Sequence, residues 1–545
     1  MKTLRVLTVL CLVVVVLGTM NIAFAAKVKV TPAGEFPIVE EPVTLKVLMK
    51  SNQFVEDFAT NEFTEWFEEK TNVKIDWQVL PKTGAEEKLN LMLATGDLPD
   101  VILTFKVTST QLMLYGMQGM FLPLNDMIDE YGVETKRVFA ETEWLEKMLT
   151  APDGNIYGLP SINECYHCFY SQKMWINQKW LDTLGLDIPQ TTEEFYQVLK
   201  AFKEQDPNGN GKPDEIPLAA ATDGWMTQVD GFLMSPFIYT NHFNNNDYLL
   251  LNDGKIDFAP NKPEWKEGIQ YLRKLYEDGL ISDQSFTQTR KQLKQMGENP
   301  DIEILGAAIA GAPGNFVQPY AESGRWLLYT AVPPLEGPGG LRETPYNPFA
   351  IQESPGRFII TSACENPEVA FRWAEAMYDQ EVTLRSIAGV AGRDWDWVEE
   401  GEIGINGEPA IWKRLLKFGQ LQNANWSQAG ISYRSNALRL GEVSGRTGEN
   451  LETILYEDTK NKYEPYARSL EQLIPPLTFT EDQSMELSEM TTTINDYVLE
   501  MFARFIVGEV DIDKDWDEYV ETLDAMGLAR FLEIQQEAYD SQWVE

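Results

Sequence analysis

Between Asp206 and Pro217 the chain reads DPNGNGKPDEIP, with oxygen-bearing side chains at alternate positions Asp206, Asn208 and Asn210, followed by Asp214 and Glu215. A hard cation such as Ca²⁺ takes oxygen ligands at about 2.3–2.6 Å, and alternate residues of a tight turn can converge on one ion. Asp206, Asn208 and Asn210 take the first, third and fifth places of such a loop. Gly211 stands where the sharp turn is needed, Lys212 offers its backbone carbonyl from the seventh place, and Asp214 is ninth. The twelfth place holds Pro217 where an EF-hand carries a bidentate Glu, so Glu215 is the substitute carboxylate. The competing reading is a solvated Asn-Gly turn. Calcium here would be structural, because one short loop supplies every ligand.

Other chemistry is thin. Cys165 and Cys168 (CYHC) have the spacing of a redox or zinc half-site, but no second pair follows. Haem attachment needs His after the second Cys, whereas His167 precedes it, so a local disulfide or two packed thiols is the better reading. Cys364 stands alone, and His167 and His242 are the only histidines. No G-x-S-x-G elbow, H-E-x-x-H motif, P-loop or dinucleotide fingerprint occurs. With 84 acidic residues, carboxylate pairs of the kind glycosidases use carry no information.

The chain of 545 residues predicts two or three domains, and 43% hydrophobic residues with 15 Trp can build large cores. A formal charge of −39 repels phosphate backbones and anionic membranes, which excludes nucleic acid as the expected partner. Lys2 and Arg5, the apolar run Val6–Gly18 and Ala23-Phe24-Ala25 match a secretory signal over residues 1–25, cleaved after Ala25. Cys11 lies inside that run with Leu10 before it, so no lipid anchor is expected. The mature chain should be exported and soluble.

The elements that must position the loop follow an α/β rhythm. VTLKVLMK (Val43–Lys50) alternates as an opening strand, and NEFTEWFEEKTNV is an amphipathic helix presenting Phe63, Trp66 and Phe67. VKIDWQVLP and PDVILT are further strands around a helix that stops at Gly96. Strand and helix alternate as in a largely parallel sheet. Thr192, Glu193 and Glu194 open another helix just before the polar loop.

Five stretches carry a family resemblance: LNLMLATGDLPDV, DGNIYGLPS, MWINQKWLDTLGLDIPQTTEEFYQVLKAFKEQDPNGNGKPDEIPL, ITSACENPEVAFRWAEAMYDQE and FIVGEVDIDKDWDEYVETLDAMGLARFLEIQQEAYD. The chain resembles the extracellular solute-binding proteins of ABC importers, in the branch that captures oligosaccharides and includes alginate-oligosaccharide binders. The resemblance implies an α/β two-lobe periplasmic-binding-protein fold of type II, each lobe a mostly parallel sheet flanked by helices, with hinge strands between. It implies lobe 1 over 43–161 and 331–387, and lobe 2 over 171–329 and 388–545. It also implies calcium at a loop like 206–215, and a closed form that docks as a monomer on the transmembrane subunits of an ABC permease. The export signal without a lipid anchor makes an extracytoplasmic location expected: periplasmic or cell-wall associated.

Sugars offer apolar C–H faces and rings of hydroxyls, so a site needs aromatic platforms beside amides, carboxylates and Arg. The candidates are Trp225, Asn315, Phe316, Tyr346, Arg393, Trp395, Asn425 and Trp426, all flanked by polar or Gly residues. Trp225 and Trp395 come first, and Arg393 is the cation for an acidic sugar. The alternatives are a secreted carbohydrate-active enzyme and a peptide binder on the same architecture. The export signal, the missing catalytic motifs and the resemblance together favour capture over catalysis.

Overall fold

The computed structural model describes residues 28–240, 248–349, 351–352, 354–415, 421–444 and 450–544. The expected signal segment, Cys11 and His242 lie outside them. Among the described residues, no helix is long and apolar enough to cross a membrane.

Strand β1 (Val43–Lys50) buries Val43, Leu45 and Val47 and exposes Thr44 and Lys46 between them, as its alternation predicts. Strand β2 (Val73–Leu80) pairs with it in parallel from Val43↔Val73 to Lys50↔Leu80. Between them runs the helix Glu62–Thr71, started by the Asn61 side chain accepting from Phe63 N at 3.1 Å. Phe63 and Phe67, four residues apart, share its buried face. The three-residue strand β3 (Val101–Leu103) is wholly buried and runs parallel to β1.

Strands β4 (Ser161–Asn163) and β5 (Met174–Asn177) follow, then β6 (Ile216–Ala219) and the hairpin β7 (Leu249–Asn252) with β8 (Lys255–Phe258). The later strands are β9 (Leu305–Ile309), β10 (Tyr329–Val332), β11 (Ile351–Gln352) and β12 (Phe358–Ile360). A second hairpin, β13 (Trp395–Trp397) with β14 (Trp412–Arg414), precedes β15 (Tyr433–Arg434). One sheet has the order β12-β3-β1-β2 and another β10-β5-β9-β6. The second sheet departs from the mostly parallel expectation: only β6 and β9 pair in parallel, while β5 runs against both β9 and β10. The cause is topological. β5 brings the chain in from the first sheet and β10 leads it back, so as neighbours they point in opposite directions.

A third sheet, β11-β4-β15, joins these two bodies. β4 leaves the first core for the second, β11 returns, and β15 leaves again. Accordingly β4 pairs in parallel with β15 and antiparallel with β11. Three traverses of the chain thus lie side by side in one hydrogen-bonded sheet.

The cores redraw the expected lobe limits. The first gathers Ile38–Ile162 and Phe358–Val382, but also Trp426, Ala429, Ile431 and Tyr433, which the resemblance put in lobe 2. Ala331, Val332 and Leu335 pack instead in the second core, with residues from Phe169 through Ile534. Leu384, Ile387, Trp395, Trp412 and Leu438 form a smaller cluster of their own. The helix Glu481–Val507 packs on the second core and reaches back to the first body, where Ser484 Oγ lies 2.9 Å from Thr110 Oγ1.

Trp426 shows why a tryptophan in a polar loop can be core. Its ring meets Phe63 at 4.8 Å and Trp77 at 5.3 Å edge-on, and its indole N–H donates to Thr64 Oγ1 at 2.8 Å. Trp426→Ala should cost about 3–5 kcal/mol in denaturant unfolding; a loss under about 1 kcal/mol would place the ring outside the core. Glu375 supplies a pH signature. It is 3% exposed, and its Oε2 accepts from the Glu134 and Thr135 N–H groups at 3.0 and 3.3 Å. Burial nevertheless outweighs those donors and pushes the carboxyl from 4.5 up to about 7. The unfolded chain therefore releases a proton that the fold keeps as pH rises from 4.5 to 7, and stability declines across that window. Glu375→Gln should match the parent at pH 4.5 and exceed it by about 1–3 kcal/mol at pH 8; equal stabilities at both pH values would refute this.

Candidate ligand cleft and calcium loop

The polar loop joins the helix Thr192–Glu204 to β6. That helix begins where the Thr191 side chain accepts from Glu194 N at 3.1 Å. Three left-handed residues, Asp206 (φ 49°), Gly209 (φ 74°) and Gly211 (φ 72°), fold the loop back on itself. Asp206 Oδ1 and Asn208 Oδ1 both accept from Asn210 N, at 3.1 and 3.0 Å, and Asp206 Oδ2 accepts from Gly211 N at 2.9 Å. Asn210 Oδ1 accepts from Lys212 N at 2.7 Å. The Asn208 and Asn210 amides donate to the Asp214 carboxylate and hold it below the usual range.

Glu215 is the member out of balance. Its Oε1 is buried with no hydrogen-bond partner among the described residues. Burial, with Asp206 and Asp214 close by, pushes its carboxyl up. An all-oxygen set with mutually repelling carboxylates and one orphaned oxygen fits a hard divalent cation. Cys165, His167 and Cys168 also bring ligand atoms within 4.8 Å of one another. Their sulfurs are joined in a disulfide, which leaves no thiolate for a metal.

Polar groups collect on the joining sheet. From its place after β15, Arg439 donates to Asn163 Oδ1 on β4 at 2.9 Å and to Glu452 Oε2 at 3.1 Å. Glu452 opens the helix Leu451–Asp458, which Asn450 caps and whose Leu455 packs in the second core. The same Glu452 oxygen lies 3.5 Å from His167 Nε2. Partial desolvation favours a protonated Glu452, but the contact with His167 and the charge and hydrogen bond of Arg439 outweigh it and hold the carboxyl low. Burial holds the His167 ring below its ordinary pKa, so it is neutral at pH 7 and serves as a donor. Glu452 remains 43% exposed and opens the group to solvent. Arg434 lies beside these residues on β15, and Arg414 pairs with Glu442 at 3.4 Å.

Trp225 borders this group, with its ring 6.1 Å from that of His167. Its placement depends on Gly311, where a Cβ would fall 2.4 Å from Trp225 Cε3. Asn315 Oδ1 accepts from Trp225 N at 3.4 Å, so Asn315 braces the platform. Tyr346 is half-buried and stacks on Tyr170 at 4.8 Å.

The structure separates the remaining candidates from this group. Phe316 is fully buried against Tyr329, and Trp426 is core, so neither keeps a ring face for a sugar. Trp395 is likewise buried with its indole N–H on Gly389 O at 2.8 Å; its neighbour Trp397 is the exposed ring, at 45%. Asn425 is 4% exposed and spends its oxygen on Ser427 N and Gln422 Nε2. Arg393 is clamped between Glu62 and Asp394. Sequence reasoning missed Asn163, Arg434, Arg439 and Glu452, since no local pattern marks residues that meet only where distant strands pair. A 670 Å³ depression near Glu193, Phe237, Tyr271 and Glu336 lies on the second body, where a ligand would touch one lobe alone.

A family model for bacterial extracellular solute-binding proteins matches residues 50–383. The chain is 28% identical over 552 residues to the fructooligosaccharide ABC transporter substrate-binding protein FusA of Streptococcus pneumoniae serotype 4, covering 99% of this chain and 97% of that one. FusA in complex with kestose superposes with a TM-score of 0.74 at 27% identity, over 91% of this chain and 99% of the other. A FusA EF-hand mutant in complex with fructo-nystose matches equally. An extracellular solute-binding protein from Bifidobacterium longum subsp. infantis, 24% identical with a TM-score of 0.77 over 92% of this chain and 98% of that one, shares the type II two-lobe fold. With its family model matched across both sheets, the chain belongs to the bacterial extracellular solute-binding proteins.

Proposed function

We propose that this protein is the extracytoplasmic substrate-binding subunit of an ABC importer, a monomer that captures an oligosaccharide between its lobes and delivers it to a membrane permease. The observation that carries the reading is the three-stranded joining sheet, whose Asn163 meets Arg439 and through it Glu452 from neighbouring helices, with Trp225 beside them. A sugar bound there would meet groups from the hinge and the second lobe, and on closure those of the first. Only the contacts added by closure favour the closed form. Trp225 would be the platform, Asn315 its brace, and Tyr346 a further ring. Likeness to FusA over 99% of the chain supports a sugar as ligand and binding as the activity.

Calcium belongs to the same proposal. Asp206, Asn208, Asn210, Asp214 and Glu215, with the Lys212 carbonyl, would hold it between the helix Thr192–Glu204 and β6. Bound there, the ion would neutralise the loop carboxylates. The likeness to a FusA variant described as an EF-hand mutant supports this reading. The signal at residues 1–25 would export the chain to the periplasm or cell wall, where calcium is abundant.

Thermal unfolding of the chain from Ala26, run against an oligosaccharide panel, tests capture. A true ligand at a hundred times its Kd should add about 2.7 kcal/mol and be recovered intact; cleaved sugar would make the protein an enzyme, and a flat response to every sugar would sink the reading. Chelation should lower the melting temperature of the parent and leave Asp214→Ala unchanged. Identical curves for fully calcium-stripped and calcium-loaded parent would end the structural role of the loop ion.

A further inference from the structure

Arg434 is 8% exposed, and no hydrogen-bond or ion-pair partner reaches its side chain among the described residues. Burial, reinforced by Arg439 and Arg414, pushes its guanidinium down to about 9. The nearby carboxylates are already engaged: Glu442 with Arg414 and Glu452 with Arg439. His167 is neutral, so three guanidinium groups face two carboxylates and one positive charge is left over. This happens in a chain with 84 acidic and 45 basic residues. A largely buried guanidinium without a partner is costly, and an anion that reaches its still solvent-touching nitrogens recovers that cost.

Arg434 also stands on the open side of its strand. Tyr433, the preceding residue on β15, packs in the first core. Alternation along the strand turns Arg434 to the opposite face, toward Arg439 and the half-exposed Glu452. The flat fork of a guanidinium matches the paired oxygens of a carboxylate or a sulfate ester.

We infer that Arg434, supported by Arg439 and Arg414, forms a subsite for an anionic group carried by the captured oligosaccharide, a uronate carboxylate or a sulfate ester. The inference rests on the sugar-capture reading and narrows it from sugars in general to acidic ones.

Calorimetric titration of the mature, calcium-loaded protein with three probes tests it: trigalacturonate, a sulfated carrageenan tetrasaccharide, and neutral kestose. An anionic probe should bind more tightly than kestose, and which of the two binds identifies the group. Arg434→Met should weaken that probe by about tenfold or more, while melting no lower than the parent because it removes an unpaired charge. Arg434→Lys, which keeps the charge but loses the fork, should fall between the two. Tight binding of kestose with no anionic binding overturns this inference and leaves sugar capture standing. Unchanged anionic affinity in Arg434→Met also overturns it, as does a melting point several degrees below the parent's, which would make Arg434 a structural cation. Silence from all three probes overturns it, and extending that silence across the wider oligosaccharide panel would sink the capture reading as well.

Discussion

The molecule turns on one constraint: the three traverses between the lobes lie in one sheet, with β11 and β15 each hydrogen-bonded to the central β4. Their directions follow from the route of the chain, and the pairing of Ile162 with both Ile351 and Tyr433 locks them side by side. These strands are only two or three residues long, so few backbone hydrogen bonds resist twisting while each lobe keeps its own closed core. A short sheet between two rigid bodies is the mechanical form of a hinge. Polar side chains accumulate there because neither core can cover that surface.

The two candidate sites answer to different parts of this design. The loop at 206–215 feeds β6, an edge strand of the second sheet, and its oxygens face one another within a single turn. It can brace the lobe without sensing the ligand. The group formed by Asn163, Arg439, Glu452 and His167 instead ties a hinge strand to a helix that packs in the second core. Any rotation of the lobes strains or rearranges those contacts. That is how a ligand bridging them would gain differential affinity for one state.

Much of the fold was legible wherever burial follows local periodicity. Val43–Lys50 alternates over its first half because only one face of this interior strand is covered there, and Thr191 with Glu194 starts a helix because orphan N–H groups need an acceptor. The oxygen-rich loop was equally visible, since its chemistry is contained in ten residues. Partners distant in sequence were not. Trp395 and Trp426 sit among polar and glycine neighbours and read as exposed platforms, yet Trp426 is sealed by Phe63, Trp77 and Thr64, which lie more than three hundred residues earlier. Trp225, with the same local signature, does lie beside the hinge group. Arg434 carried no signal, because its isolation depends on which carboxylates its arginine neighbours have already taken.

A ligand held by closing two lobes about this sheet must change the shape of the molecule on binding. Small-angle X-ray scattering from the calcium-loaded mature chain, recorded without and with a saturating oligosaccharide shown to bind, tests it most directly. Closure gives a smaller radius of gyration in the presence of the sugar, reversed on dialysis. Saturated binding with an unchanged scattering profile would contradict it.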